Sequence, residues 1–204
     1  MTRGRFQRGY TIVELLMSLS VLAIGVSGVI AMQRVTLETN RYAKDLAIAT
    51  RIAEAWTDQL TTDGSLWTVN AAGASTLPNT TWLNAATLGT TGTWALPAYS
   101  APLGFGPAFG ALGQPLDPAG HPELAQFCAH IRLAYLHSDT LPTVGNGVIR
   151  AQVRVFWRRN DQAASTAVAN ICAVTPATLD TDIGAFHVIY LTTSIRQLPV
   201  GRVN

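Results

Sequence analysis

The sequence predicts an α+β protein in which a long N-terminal helix, transmembrane in its first half, packs on a small antiparallel sheet. Three observations lead to this fold class. Residues 15–33 contain no charged residue, and residues 34–60 continue without Pro or Gly. The last third of the chain contains segments with alternating or β-branched composition. A length of 204 residues suits one domain with an appendage.

A basic leader, residues 1–9, precedes an apolar helix segment, residues 10–33. Residues 15–33 would form a helix about 28 Å long, close to the hydrocarbon thickness of a bilayer. Basic residues in the leader favour a cytoplasmic N-terminus. A secretory signal cleaved near Ala31 is the alternative, but the carboxylate of Glu14 would have no purpose in a discarded signal. The segment is therefore expected to enter a membrane and to remain part of the protein.

Residues 9–14 read GYTIVE and resemble the processing site of type IV prepilins. The later pattern in residues 21–33 is similar to that of PilV-like minor pilins and of the related I-type minor pseudopilins of type II secretion. The resemblance implies a type IV pilin-like fold, cleavage after Gly9 by a prepilin peptidase, and N-methylation of Tyr10 by the same enzyme. Tyr10 departs from the Phe that is commonest at this position in the family.

The resemblance also implies a place in the cell and a set of partners. The chain would lie in a bacterial inner membrane with its C-terminal domain outside the cytoplasm, in contact with lipid, and then enter an extracellular pilus or a periplasmic pseudopilus. Its partners would be other major and minor pilin subunits, the prepilin peptidase and the inner-membrane assembly platform. The leading hypothesis is a minor pilin that is incorporated in, or primes, the filament tip.

Three other functions stay open at this point. The chain could be a minor pseudopilin of a type II secretion system, because the N-terminal pattern is shared. It could be a major filament subunit, although the PilV-like pattern argues against this. It could also be a membrane-anchored enzyme or binding domain that uses its helix only as a tether.

Glu14 is the assembly and register residue in this interpretation. After cleavage it would lie four residues past a free amine, which is one helical turn away on the same face. A carboxylate in an apolar environment needs a positive partner. The N-terminus of its own chain or of a neighbouring subunit could neutralise it, and the second choice would set the axial register between helices. A Glu that only reaches the membrane interface is the alternative.

Residues 34–60 are expected to form an amphipathic helix stalk. Apolar residues recur there at steps of three and four, the spacing of one helix face. We expect this stripe to pack on the chain's own sheet, with a partner helix as the alternative. The stripe consists of Tyr42, Leu46, Ala49, Ala53, Trp56 and Leu60.

Residues 61–126 are expected to form an irregular connecting region. Residues 64–116 contain no Asp, Glu, Lys or Arg, and turn-forming residues occur throughout. Aromatic residues are expected to anchor this region to the domain, although a contact surface for other subunits is also possible. These residues are Trp67, Trp82, Trp94, Tyr99, Phe105 and Phe109.

Residues 127–204 are expected to form an antiparallel sheet of three or four strands. The predicted strands are Phe127–His137, Val148–Arg158 and residues 185–196. In the second strand, one face is apolar and the other carries mainly Arg and Gln, so we expect it to be half-buried. The even cysteine count favours a disulfide between Cys128 and Cys172, with two buried free thiols as the alternative.

Composition argues against several functions. The net charge is +2, and without Arg3, Arg5 and Arg8 of the leader it becomes slightly negative, so no basic surface for nucleic acid is expected. Common catalytic motifs and phosphate-binding glycine loops are absent from the sequence, so we predict no enzyme activity and no cofactor. The histidines lack metal-ligand spacing. Residues 180–184 resemble part of a calcium loop without its final Glu, so no metal site is predicted.

Overall fold

The computed structural model describes residues 11–68, 75–86, 92–137, 147–159 and 170–198. The chain divides into two compact units, Met1–Leu46 and Ala47–Asn204. One helix, α1 (Ile12–Gly64), contributes to both. A helix of about this length was predicted. The observed helix ends at Gly64, whereas the predicted one ended near Leu60. The long N-terminal helix and the small antiparallel sheet confirm the predicted α+β class.

α1 begins after Thr11, whose backbone carbonyl accepts the N–H groups of Glu14 and Leu15 at 3.1 and 3.2 Å. At its other end, the helix approaches the sheet closely. A side chain at Gly64 would collide with the Cγ2 atom of Ile195. Gly64 therefore permits contact between the end of α1 and the sheet.

The sheet consists, in the described residues, of five antiparallel strands in the order β2-β1-β3-β4-β5. The three long strands occupy almost the predicted positions. The prediction of three or four strands was too low because β1 and β2 have only two residues each, too few to produce a readable alternation. The strands are β1 (Ala108–Phe109), β2 (Pro115–Leu116), β3 (Phe127–His137), β4 (Val148–Arg158) and β5 (Phe186–Arg196).

One face of this sheet, here called the inner face, forms the core together with residues 47–64 of α1. Four β4 residues on this face have no exposed surface, namely Ile149, Ala151, Val153 and Val155. The helix contributes Ala49, Ile52, Ala53, Trp56 and Leu60, all buried. The C-terminal part of the predicted apolar stripe therefore packs within its own domain, whereas Tyr42 remains 44% exposed.

The connecting region is anchored by aromatic side chains, as its composition predicted. The Trp56 ring of α1 lies edge-on to Trp82 and Phe105, with centroid distances of 5.3 and 4.8 Å. Phe105 in turn contacts Phe109 of β1 at 5.6 Å. Burial of these rings fixes a segment that has little regular secondary structure.

The other face of the sheet, here called the outer face, is more covered than the sequence predicted. Arg154 and Phe156 were expected on a half-exposed face, but both are fully buried. Arg154 bonds to Asp180 and to the Pro176 carbonyl, both in the helix α2 (Pro176–Thr181), and the Phe156 ring packs beside those of His130 and Phe186. The disulfide between Cys128 and Cys172 joins the residues just before α2 to β3.

Candidate functional site

The predicted processing residues Gly9 and Tyr10 lie outside the described residues. The structure describes the chain from Thr11, and Glu14 lies exposed in the first turn of α1. A carboxylate in this position is stabilised by the partial positive charge of the helix N-terminus. Glu14 is the first acidic residue of the chain, and the next one, Glu38, lies beyond the apolar stretch.

The first half of α1 exposes an apolar surface. Ile12, Leu16, Met17, Val21 and Ile24 are between 59% and 79% exposed. An 18-residue window of this helix has a mean hydropathy of 2.3, and none of the window is buried. By length and composition α1 could cross a membrane, which favours membrane anchoring.

Hydroxyl groups within this apolar surface are satisfied inside the helix. Ser20 donates to the Leu16 carbonyl at 2.8 Å, and Ser27 donates to the Ile24 carbonyl at 2.8 Å. Ser18 bonds in the same way to the carbonyl of Glu14. The helix therefore presents few unsatisfied polar groups to an apolar environment, as a bilayer or a bundle of apolar helices requires.

Asp63 connects the end of α1 to the connecting region. Its buried carboxylate accepts the backbone N–H groups of Thr81, Trp82 and Leu83 at 2.7, 2.8 and 3.0 Å. Three hydrogen bonds compensate the carboxylate for its removal from water. Asp63 could not be identified from the sequence, because an Asp near a helix end resembles any solvated residue until its distant partners are known.

A polar cluster is buried on the outer face around Arg154. Its Nη1 atom lies 2.6 Å from Oδ1 of Asp180, and its Nε donates to Nδ1 of His130 at 3.2 Å. Burial, and then the charge of Arg154, lower the pKa of His130 to about 4. His130 is therefore neutral near pH 7 and acts as an acceptor. The cluster has no nucleophile or proton-transfer pair, so its geometry is that of a structural network.

Trp94 covers this cluster from the connecting region. The guanidinium carbons of Arg132 and Arg154 lie 4.9 and 4.5 Å from the centroid of its ring. The ring of Tyr190 in β5 also lies near the Trp94 ring, with a distance of 6.0 Å between the two centroids. These cation–π contacts order both arginines. Nε of Arg132 also donates to Oε1 of Gln152 at 2.7 Å.

In residues 180–184, which resemble part of a calcium loop, the two Asp residues make contacts within the protein. Asp180 is directed to Arg154, and the backbone N–H of Asp182 ends α2 by donating to the Thr178 carbonyl at 2.9 Å. Among the described residues, no group of three or more His, Cys, Asp or Glu side chains could hold a metal ion.

An apolar cleft lies beside the C-terminal half of α1. Its volume is about 370 Å³, and Ile48, Ile52, Phe105, Phe109 and Leu112 form most of its wall. Leu112, at the tip between β1 and β2, is 76% exposed. Among the described residues that line the cleft, Arg51 is the one charged side chain, and it does not make the set of convergent polar groups that fixes a small substrate.

The N-terminal part of the chain matches a known family model. Residues 4–30 match the model of the prokaryotic N-terminal methylation motif. No curated protein matches the chain, and no solved structure matches it. The motif supports a type IV pilin-like or pseudopilin-like protein and implies processing by a prepilin peptidase and assembly with other pilin subunits. Together with the fold, it favours a structural subunit over an enzyme.

Proposed function

We propose that this protein is a minor pilin subunit of a type IV pilus, processed by prepilin peptidase and incorporated in, or priming, the filament tip. The observation that carries the proposal is the start of α1, where one carboxylate precedes an exposed apolar surface. This half of the helix has no core of its own to pack on within residues 11–46, so lipid or other subunits must cover it. The matched motif lies on the same residues.

Processing on the cytoplasmic face would remove residues 1–9 and release the amine of Tyr10, which the peptidase would then methylate. The basic leader keeps this end of the helix cytoplasmic while the apolar segment occupies the bilayer. The domain from residue 47 onward would then lie outside the cytoplasm. The disulfide between Cys128 and Cys172 suits an oxidising compartment of this kind.

Assembly would follow from the chemistry of α1. Apolar surface that lipid covers in the membrane would be covered by neighbouring helices in the filament. Glu14 would then leave the membrane interface for an apolar bundle, where an unpaired carboxylate is strongly unfavourable. The Tyr10 amine of a neighbouring subunit would neutralise it, so correct axial register would be favoured over a slipped register.

The intact mass of the protein extracted from membranes tests the processing step. We expect the loss of residues 1–9 and the addition of one methyl group. A full-length chain, or a chain shortened to about Ala31, would contradict the proposal and favour a simple tether or a secretory signal. Recovery with sheared surface pili, at few copies per filament, would support a minor pilin. Recovery only with periplasmic pseudopili would favour the type II secretion alternative.

Substitution of Glu14 tests the assembly step separately. We expect Glu14→Ala and Glu14→Gln to be processed normally but to be depleted from filaments, because both remove the charge that the amine requires. Glu38→Gln is the matched control, since Glu38 is an exposed acid on the same helix beyond the apolar run. Normal incorporation of both Glu14 variants would refute the register role.

A further inference from the structure

The outer face of the sheet concentrates the positive charge of the domain. The strands β3, β4 and β5 contain no Asp or Glu, and the pairing register puts all their arginines on this face. We call this surface the arginine face. From residue 47 onward the chain contains Arg but no Lys. In the described part of this range, Asp and Glu together are as numerous as Arg, but they lie on elements other than these three strands. The arginine face comprises Arg132, Arg150, Arg154, Arg158 and Arg196.

Neutralisation of this charge is incomplete within the described residues. Asp180 pairs with Arg154. Arg132 donates two N–H groups to Gln152, but an amide oxygen is neutral and leaves the charge uncompensated. Nε of Arg150 is buried and has no acceptor among the described residues.

The strand β5 lies at the edge of the sheet beside this face. Gln197 donates its N–H to the Gly147 carbonyl, and Arg159 donates to the Ala185 carbonyl, at 2.9 and 3.0 Å. In an antiparallel ladder this pattern directs the backbone groups of odd-numbered β5 residues toward β4. Even-numbered residues therefore direct their N–H and C=O groups to the open edge. The same residues carry their side chains on the arginine face.

This edge lacks the features that usually prevent strand pairing. β5 pairs with β4 over 11 residues without a register shift, contains no Pro or Lys, and has its one charge at its last residue. Tyr190, Thr192 and Ser194 are exposed, and their outward backbone groups have no hydrogen-bond partner in the described parts of the chain. A long, regular and uncharged edge is a surface on which another strand can pair.

We propose that β5 and the arginine face together dock an extended, acidic segment of a partner protein, which adds to the sheet as a strand beside β5. A strand in that position would lie about 10 Å from β4, two strand spacings away. Arg150 lies opposite the small side chain of Ser194, so its guanidinium can extend over β5 toward a Glu of the added strand. Arg196 lies on the adjacent strand itself. Alternate carboxylates of the segment would meet these two arginines.

Three features favour a protein over a nucleic acid as the occupant. Outward N–H and C=O groups of an edge strand are matched by another extended polypeptide. The accessible arginines are few, whereas nucleic-acid binding commonly neutralises about 6–10 phosphates. Tyr190, which is 63% exposed, supplies an aromatic contact of the kind that is enriched in protein interfaces. The inference is independent of the proposed function, because it concerns binding and not membrane processing.

The test uses the full chain in detergent micelles and a fluorescent peptide as long as β5, with Glu alternating with Thr and Val. We expect saturable binding by anisotropy. Arg150→Gln and Arg196→Gln should each weaken it about tenfold, the loss of one charged hydrogen bond. Arg51→Gln is the matched control, because Arg51 is exposed on α1, away from the sheet's outer face. Binding should be unchanged in this variant.

Two further probes separate strand addition from simple charge attraction. The same peptide N-methylated at every Glu keeps its carboxylates but loses the N–H groups that face β5 in an antiparallel pair with the Glu side chains on the arginine face, so it should bind at least tenfold more weakly. Thr192→Pro removes an outward N–H that the sheet itself does not use, so the domain should fold and lose peptide affinity. Circular dichroism checks the fold.

The proposal is overturned if the acidic peptide does not bind, if the N-methylated peptide binds equally well, or if Arg51→Gln weakens binding as much as Arg150→Gln. A single-stranded oligonucleotide of equal charge is the remaining probe. If it binds more tightly than the peptide and depends on Arg150, the surface is a nucleic-acid site and the protein assignment is wrong.

Discussion

Replacement of Asp63 by Ala should destabilise the domain, because this residue holds the connecting region to α1. The carboxylate accepts three backbone N–H groups, and those of Trp82 and Leu83 are buried. Removing the acceptor leaves these donors without partners at about 1–3 kcal/mol each, while the N–H of Thr81 can partly rehydrate. We expect a loss of about 3 kcal/mol in the free energy of unfolding, a large part of the usual stability of a domain.

The measurement is guanidinium unfolding of the full protein in micelles, followed by tryptophan fluorescence. Trp56 and Trp82 lie in contact near this connection, so their signal should report its loss. Asp63→Asn should lose less than Asp63→Ala, because an amide oxygen can still accept some of the N–H groups. Asp58→Ala, an exposed change on the same helix, is the matched control. Equal unfolding midpoints for Asp58→Ala and Asp63→Ala would refute the reasoning.

Three further changes test other parts of the domain. Cys172→Ser opens the disulfide that spans 44 residues and should lower the unfolding free energy by about 3–4 kcal/mol; the wild type in reductant should show the same loss. The pKa of His130 is lowered to about 4 in the folded protein, against 6.5 in the unfolded chain. The free energy of unfolding should therefore be highest above pH 6.5 and fall by about 2–3 kcal/mol as the pH falls toward 4. In His130→Gln, the free energy of unfolding should depend less on pH. Gly64→Ala should cost about 1–3 kcal/mol by collision with Ile195, whereas Gly28→Ala, in open space, should not destabilise; equal effects would contradict the close approach.

The elements that could be predicted from sequence are those with a local cause. The helix follows from an unbroken apolar run and a stripe of helical period, and the three long strands follow from alternation and β-branched residues. Both patterns repeat over many positions. By contrast, β1 and β2 are short, and their pairing depends on residues that are distant in sequence.

The burial of Arg154 shows where the alternation argument was wrong. Its position on the polar face of β4 was predicted correctly, but the polar face was also expected to be exposed to solvent. The helix α2, which comes after β4 in the chain, supplies Asp180 as a partner. An ion pair of this kind permits a guanidinium to be buried, and no local pattern in β4 indicates it.

Charge gives a similar contrast between composition and arrangement. The nearly neutral total led to the prediction that no basic surface for nucleic acid exists, which stays a prediction, but the total does not show where the charges lie. In the folded domain, the strand arginines share one face while the carboxylates lie on helices and loops. A sum over the chain contains no information about this separation, because it is produced by strand pairing.

The sequence alone determined the membrane-competent helix with its single early carboxylate, the methylation motif and the long strands, because each depends on neighbours within a few turns or residues. Tertiary structure decided the partner of Asp63, the burial of Arg154 and the assembly of the arginine face beside an open edge. These features depend on contacts between residues that are far apart in the chain, and such contacts exist only after the sheet has paired and its connections have packed around it.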